Sequence, residues 1–324
     1  MMKQSKISIL ITGANGFIGK ALMDYYKKNG VSVVGVDLQG NGDDVHQADI
    51  ANPETFAELL ENCSVVIHTA ALVSNAMSDV DMWRVNVLAT SKLINAAQMH
   101  QVKRFVQISS IVAFGNKAKG ELNEDYPVHA DGGSYVLTKL ASEHTVLAAQ
   151  TQGNIEVVII RPGDVYGPGS RPWIILPLEM LKKNQFMLPA MGKGYFRPLY
   201  IDDLIRGIAL AASSDKVAGQ ILILSCKGYV TTKEFFKHHC SWLGNKGPMT
   251  VPTSVALVLS YIVTGISKLF GKANEASPAS IYQLNTQSWF SIDKAERLLG
   301  WKPEVTLTEG MKRSREWAEK HGYL

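Results

Sequence analysis

Cysteine is scarce in this chain: its 324 residues include only Cys63, Cys226 and Cys240, scattered and with no Cys-x-x-Cys pair. That argues against a disulfide framework and against a thiolate metal site. No metal is expected, and a reducing, cytoplasmic compartment fits. Blocks of like charge are also missing. The 33 Lys and Arg set against 29 Asp and Glu leave a net charge of +4 with no basic cluster, so nothing supports a nucleic-acid partner. There are no internal repeats and no low-complexity linker. The first strand-like run begins by about Ile7, and no signal peptide is expected ahead of it. What is present is an ordinary globular composition, 46% apolar and 19% charged. The length suits about two domains.

Against that background the stretch Ile9-Leu10-Ile11-Thr12-Gly13-Ala14-Asn15-Gly16-Phe17-Ile18-Gly19 is informative. An apolar run ends in three glycines spaced Gly-x-x-Gly-x-x-Gly, and an amphipathic segment follows. The pattern reads as a strand, a tight turn and a helix start. Glycines let the backbone approach a bound group, and the free N–H groups of a helix N-terminus favour an anion such as a pyrophosphate. Glycines also mark ordinary turns, so the remainder of the chain has to supply the chemistry.

Short runs rich in Val and Ile at 7–11, 31–36, 65–68, 105–108 and 157–160 alternate with helical spacing at 17–28, 53–60, 83–100 and 135–151. Such alternation predicts βαβ units and an α/β fold, a doubly wound parallel sheet with right-handed crossovers. After Arg161 prolines cluster and the rhythm becomes irregular, with a strand at 221–224 and helices near 232–242, 293–299 and 309–320. The expected division is residues 1–165 for dinucleotide binding and catalysis, and 166–324 mostly for substrate, with some segments returning to the first unit.

Asp37 ends the second apolar run, 24 residues after Gly13. A carboxylate there can accept hydrogen bonds from both ribose hydroxyls and would repel a 2′-phosphate, which favours NAD over NADP; the plain alternative is a turn aspartate. Asp49-Ile50 is placed to flank the adenine. His68-Thr69-Ala70-Ala71 ends a strand with small residues, and His68 has no second ligand spaced to help it bind metal, so it reads as structural. Tyr135 and Lys139 are four apart on one helical face. A phenol of pKa ~10 is a poor base at neutral pH. An adjacent ammonium and a cationic nicotinamide would lower that pKa, so that the tyrosine takes a proton from an alcohol while hydride leaves its carbon. Tyr229 and Lys233 share the spacing without any supporting motif. Ser110, or its neighbour Ser109, is placed to hold the substrate oxygen. Asn86, inside a helical pattern that disfavours Asn, is expected to bind a water or backbone group behind the site.

Taken in order, Thr12-Gly13-x-x-Gly16-x-x-Gly19, Asp37, Asp49-Ile50, His68-Thr69-Ala70-Ala71, Asn86, Ser109-Ser110, Tyr135-x-x-x-Lys139 and Arg161-Pro162-x-x-Val165-Tyr166-Gly167-Pro168 resemble the extended short-chain dehydrogenase/reductase family over nearly the whole chain. The resemblance implies a Rossmann-type NAD domain, a smaller C-terminal α/β substrate domain and a catalytic Ser110–Tyr135–Lys139 set. It implies cofactor contacts from Gly13, Asn15, Gly16, Phe17, Ile18, Gly19, Asp37, Asp49, Ile50, Thr69, Ala70, Ala71, Asn86, Tyr135 and Lys139, with Pro162 and Val165 bordering the nicotinamide. A homodimer through the helices at 83–100 and 135–151 is a further implication.

Two branches of that family compete: nucleotide-sugar epimerases and dehydratases, and enzymes similar to 3β-hydroxysteroid dehydrogenases. Many nucleotide-sugar members carry an Arg that grips the diphosphate ahead of the strand ending in Asp-Asp-Leu. Alignment on Tyr200-Ile201-Asp202-Asp203-Leu204 puts Phe196 at that place and Arg197 one residue on. A one-residue shift points a strand side chain to the other face, so Phe196 and Arg197 are expected at the substrate without the usual clamp. The stretch 247–267 has no charged residue, and 255–266 is almost wholly apolar with Ser260, Thr264, Ser267 and Gly271 as a polar stripe. It is short for a membrane span. It reads first as a buried helix; the sharper alternative is a helix at 255–270 lining a pocket for a lipophilic substrate or resting on a membrane surface. The expected reaction is NAD-dependent interconversion of a secondary alcohol and a ketone on a lipophilic, 3β-hydroxysteroid-like small molecule. The alternatives are a nucleotide-sugar 4-epimerase and a non-catalytic NAD-sensing protein. A dehydratase is disfavoured because Ile111-Val112 stands where an acid pair is needed.

Overall fold

Seven short runs rich in aliphatic residues build the centre of the molecule: β1 (Ile9–Thr12), β2 (Val33–Asp37), β3 (Val45–Gln47), β4 (Val65–His68), β5 (Arg104–Ile108), β6 (Glu156–Pro162) and β7 (Gln220–Leu224). The computed structural model describes residues 8–40, 44–73, 77–131, 133–269 and 277–324, with side chains of the helix that ends at Leu269 described as far as Gly265. The strands form one parallel sheet in the order β7-β6-β5-β4-β1-β2-β3. Alternate side chains enter two separate cores, as the period of a strand requires: Ile9 and Ile11 face one, Leu10 the other. The first core is closed by α1 (Phe17–Lys28), the second by α3 (Thr90–Met99) and α4 (Ser134–Gln150). This is the doubly wound fold expected from the alternating pattern. Ile7, taken into the first strand from sequence, lies outside the described residues.

Sheet order runs outward in both directions from the β1–β4 pair, so the carboxyl ends of these two strands open a crevice where ligands bind in this architecture. Gly13, at the end of β1, makes that crevice possible. Its φ is +70°, and a Cβ would stand 2.7 Å from the Ala70 backbone at the end of β4.

One element differs from the sequence expectation. The helical run expected at 83–100 starts earlier, at α2 (Asp79–Trp83), and passes through a π-helical turn (Arg84–Ala89) before α3. Residues after 165 supply part of the same unit: β7 pairs with β6, and α5 (Ile201–Ser213) packs on α1.

The larger correction concerns the apolar stretch. It forms α6 (Thr253–Leu269), but it is not a buried helix. Its protein-facing side is small and polar: Ala256 and Ser260 are 2% and 5% exposed, and the Thr264 hydroxyl is turned inward. Val255, Val258, Leu259, Tyr261, Ile262 and Val263 all face solvent. Periodicity had identified the helix but not which face meets the protein. Of the expected polar stripe, the Ser267 side chain and Gly271 lie outside the described residues.

Gly13 and Gly30 share nearly the same φ, +70° and +68°, but a Cβ at Gly30 meets nothing. Gly30→Ala should therefore show only the left-handed penalty, about 1 kcal/mol, whereas Gly13→Ala adds the collision with Ala70 and should cost about 2–4 kcal/mol. Urea denaturation of the two variants separates the terms; equal losses would remove the close approach as the reason for Gly13.

Candidate active site

The crevice begins with the turn between β1 and α1. Gly16 caps α1 without a side-chain hydrogen bond, its first turn holds no acidic residue, and Lys27 and Lys28 sit in the last turn. The positive end of the helix dipole is thus left for an anionic ligand. A Cβ on Gly19 would collide with the Gly13 carbonyl, so this glycine lets the helix close onto the turn. Asp37, at the tip of β2, is bound into the same turn: its Oδ2 accepts the Asn15 N–H at 3.0 Å, and the Asn15 side-chain amide donates to the Gln39 carbonyl. Phe17 and Ile18 open α1 and pack partly into the core beneath.

On the other side of the crevice, the Thr69 hydroxyl donates to the Thr12 carbonyl at 2.7 Å and holds Thr69-Ala70-Ala71 against the glycine turn. Asp49 accepts the Ala51 N–H at 2.9 Å, beside buried Ile50. His68 is fully enclosed between the Thr12 and Thr90 hydroxyls at 2.6 and 2.9 Å. Burial, helped by the Lys139 charge, lowers its pKa to about 3, so it is a neutral structural residue. Among the described residues no cluster of acidic, histidine or cysteine side chains could hold a metal.

α4 carries the chemical groups. Tyr135, Lys139 and Glu143 recur every four residues and share a face. Tyr135 keeps some exposure, but the surroundings of its hydroxyl are dense; burial pushes its pKa up to about 12, opposed by a hydrogen bond with Ser110. Ser110 caps a short 3-10 turn after β5, where its oxygen accepts the Val112 N–H at 3.3 Å. Ser109 is buried and takes no part in that contact. Lys139 is buried, donates to the Ile108 carbonyl at 2.9 Å and lies 5.9 Å from the Tyr135 ring centre. Burial lowers its pKa to about 8, with the Glu143 charge pulling the other way.

Two supporting groups escaped the sequence reading. Glu143 forms a buried double hydrogen bond with Arg161, 2.9 and 2.6 Å, and the guanidinium lies 4.8 Å from the Phe114 ring centre, just beyond Ser110. The repeat Tyr135-Lys139-Glu143 was the available signal, because a third polar residue on a core-facing stripe needs a partner. Asn86 was assigned to the cofactor by resemblance. It exchanges hydrogen bonds with the Leu72 backbone at 2.8 and 3.0 Å and donates to the Thr138 hydroxyl at 3.1 Å. It therefore joins the end of β4 to α4, the backbone role also expected of it.

The substrate-side residues sit deeper than expected. Phe196 is 1% exposed and stacks on Phe235, with Trp173 on its edge. Arg197 is buried, 3.1 Å from the Asp164 carboxylate, and donates to the Tyr195 carbonyl and the Thr286 hydroxyl at 2.7 and 2.6 Å. Neither is a free phosphate clamp. Pro162 ends β6, and Val165 pairs with Leu199 in a short parallel ladder. The competing pair fails as a site: Tyr229 is exposed against Tyr195, and Lys233 faces solvent.

A glycine cradle beside a hydrogen-bonded serine and tyrosine with a buried lysine can bind a dinucleotide and move a proton at an alcohol oxygen. The family described as "NAD dependent epimerase/dehydratase family" matches residues 9–224. The UDP-glucose 4-epimerase of Vibrio cholerae is 30% identical, with 95% of this chain and 94% of that protein covered. The decarboxylating sterol-4-alpha-carboxylate 3-dehydrogenase of Candida albicans is 24% identical, with 98% and 99% covered. Among solved structures, MoeE5 in complex with UDP-glucuronic acid and NAD superposes with a TM-score of 0.79 at 26% identity, over 97% of this chain and 99% of that one. The chain belongs to the NAD-dependent epimerase/dehydratase family and is an NAD-using enzyme of the short-chain dehydrogenase/reductase type.

Proposed function

We propose that this enzyme interconverts a secondary alcohol and a ketone on a lipophilic, 3β-hydroxysteroid-like substrate, with Ser110, Tyr135 and Lys139 as its catalytic residues. The observation that carries the chemistry is the convergence of Ser110 and the Tyr135 hydroxyl beside the buried Lys139, which lies 5.9 Å from the Tyr135 ring centre. The cradle of Gly13, Asn15, Gly16, Phe17, Ile18 and Gly19 fits a pyrophosphate, because it opens α1 with no side-chain cap and no acidic residue in the first turn. Asp37 fits the ribose, Asp49, Ile50, Thr69, Ala70 and Ala71 flank the cofactor, and Pro162 and Val165 border its nicotinamide. When bound, NAD supplies the hydride acceptor or donor.

The chain's own residues handle the proton. The Ser110 oxygen accepts from Val112, and its O–H, which faces Tyr135, would be shared with the substrate oxygen once that oxygen lies between the two. In the oxidising direction the Tyr135 phenolate takes the hydroxyl proton; in the reducing direction the neutral phenol gives it back. Lys139 stabilises the phenolate. In this reading residues 1–165 bind NAD and carry catalysis, and 166–324 mostly bind substrate.

The lipophilic substrate is supported by Arg197, whose guanidinium is engaged by Asp164, Tyr195 and Thr286 and so is not offered to a diphosphate. The second reading, a nucleotide-sugar 4-epimerase, is favoured by the 30% identity to the Vibrio cholerae enzyme. Three unbridged cysteines suit a cytoplasmic setting. Val80, Trp83, Leu88 and Leu137 project from α2, the π-helical turn and α4, which pack side by side, and they suit a homodimer face.

Three outcomes test these readings. Because phenolate accumulates as pH rises, alcohol oxidation should increase with pH, with an apparent pKa below the free-protein value of about 12. Tyr135→Phe should lower kcat by ~10²–10⁴ with NAD binding retained, and Lys139→Met should move the rise to higher pH; steady-state NADH absorbance measures both, and unchanged kcat in Tyr135→Phe rejects the assignment. In a second assay, NAD reduction with 3β-hydroxysteroid-like alcohols is run beside UDP-sugar epimerisation, and turnover of UDP-sugars alone rejects the lipophilic substrate. Light scattering after size exclusion should give a dimer mass that Trp83→Glu reduces to a monomer, whereas a monomeric native chain rejects the dimer.

A further inference from the structure

α6 inverts the usual pattern of a surface helix, with small and polar groups inward and large apolar ones outward. Its exposed side includes Tyr261 at 61% and Val258 at 58%. A contiguous apolar patch of this kind marks a binding surface. The patch continues past the helix start. Met191 donates its N–H to the Val251 carbonyl, and Met249 is exposed beside it. Ala190 and Met191 both take left-handed backbone, φ 51° and 54°, a strained turn that holds the Met191 side chain in solvent.

Charge distinguishes the occupants. Residues 235–274 contain no Asp or Glu, while Lys237, Lys246, Lys268 and Lys272 fall within them. Lys246 is exposed just before Met249, and Lys193 is exposed just after Met191. An apolar strip with Lys193 and Lys246 exposed at its edge, and no carboxylate in residues 235–274, matches the surface of an anionic bilayer, where apolar side chains enter the acyl boundary and lysines stay among the headgroups. No helix among the described residues is long and apolar enough to cross a membrane, so the helix would lie on the surface.

Position links this face to the catalytic groups. α6 packs on α7 (Pro278–Gln283), and Ala279 of α7 stands against Gly133, which caps α4 immediately ahead of Tyr135. We propose that α6, with Met191 and Met249, seats the protein on an anionic phospholipid surface beside the mouth of the site, so that a lipophilic alcohol can pass from the bilayer to Tyr135. The delivery of substrate rests on the lipophilic reading above; the docking does not.

Flotation with vesicles tests the docking without cofactor or substrate. The native chain should float with vesicles of phosphatidylglycerol and phosphatidylcholine and much less with phosphatidylcholine alone. Val258→Glu/Ile262→Glu should lower the floated fraction by roughly tenfold or more while keeping the melting curve and NAD affinity. Lys193→Glu/Lys246→Glu, which leaves the apolar face intact, should remove the preference for the anionic vesicles. A native chain that floats with neither vesicle, or a Val258→Glu/Ile262→Glu variant that floats as well as native, overturns the proposal. So does a fall in oligomer mass in that variant, which would make this face a contact between copies of the chain. Loss of steroid turnover with flotation intact would instead reject the substrate reading.

Discussion

A buried ammonium organises this site. Taking a Lys out of water costs several kcal/mol unless fixed partners replace the solvent, and Lys139 has three kinds of support. The Ile108 carbonyl accepts a hydrogen bond from it at the end of β5, the Glu143 carboxylate compensates its charge one turn along α4, and Arg161 holds that carboxylate from β6. Removing any one support leaves a buried charge without its counterpart, so the strand ends and the helix have to be fixed relative to one another. The same charge reaches His68, where together with burial it keeps the ring neutral between two threonine hydroxyls. In the proposed mechanism a structural constraint and a catalytic one therefore meet in a single residue: a lysine that would have to stay charged near neutral pH to support a phenolate, but whose pKa burial has already lowered to about 8.

That arrangement explains why the sequence was readable where it was. The strands were legible because sheets covered on both faces need aliphatic residues on both sides. The glycine turn was legible because only glycine tolerates the approach of Gly13 to Ala70. Tyr135 and Lys139 were legible as a pair because four residues make one helical turn. The Glu143–Arg161 pair was harder to foresee, since its members are 18 positions apart and meet only once α4 lies across β6. The polar character of each was visible, but the closure between them was a property of the fold.

α6 shows the opposite limit. An apolar helix in a soluble chain is ordinarily buried, because burial of its side chains drives folding. Here the side facing the protein carries Ala256, Ser260 and Thr264, which allow close approach but bury little apolar area. Sequence periodicity records that one side of a helix differs from the other; it does not record which of them the protein core selects. The same ambiguity affected Arg197. Counting along the strand showed that it was out of register with a phosphate clamp, but not that Asp164, Tyr195 and Thr286 would hold it inside.

The fate of Arg197 bears on how one scaffold serves unlike substrates. The groups proposed to handle the proton sit just after β5 and on α4, anchored by contacts within the sheet and its helices. In the proposed reading the substrate wall is the segment that carries Phe196 and Arg197 together with the elements after it. There a guanidinium can either face a ligand or brace the wall from within, and the position of one residue in a short strand decides which. In this chain Arg197 braces: its ion pair with Asp164 ties the segment following β6 to the strand that carries Phe196. A wall braced in this way has its cation satisfied by protein and presents an aromatic cluster of Phe196, Phe235 and Trp173 behind it. Under the proposed function, a substrate site backed in that manner would discriminate against a diphosphate by leaving its charge unanswered, a stronger filter than the shape of an apolar ring system alone.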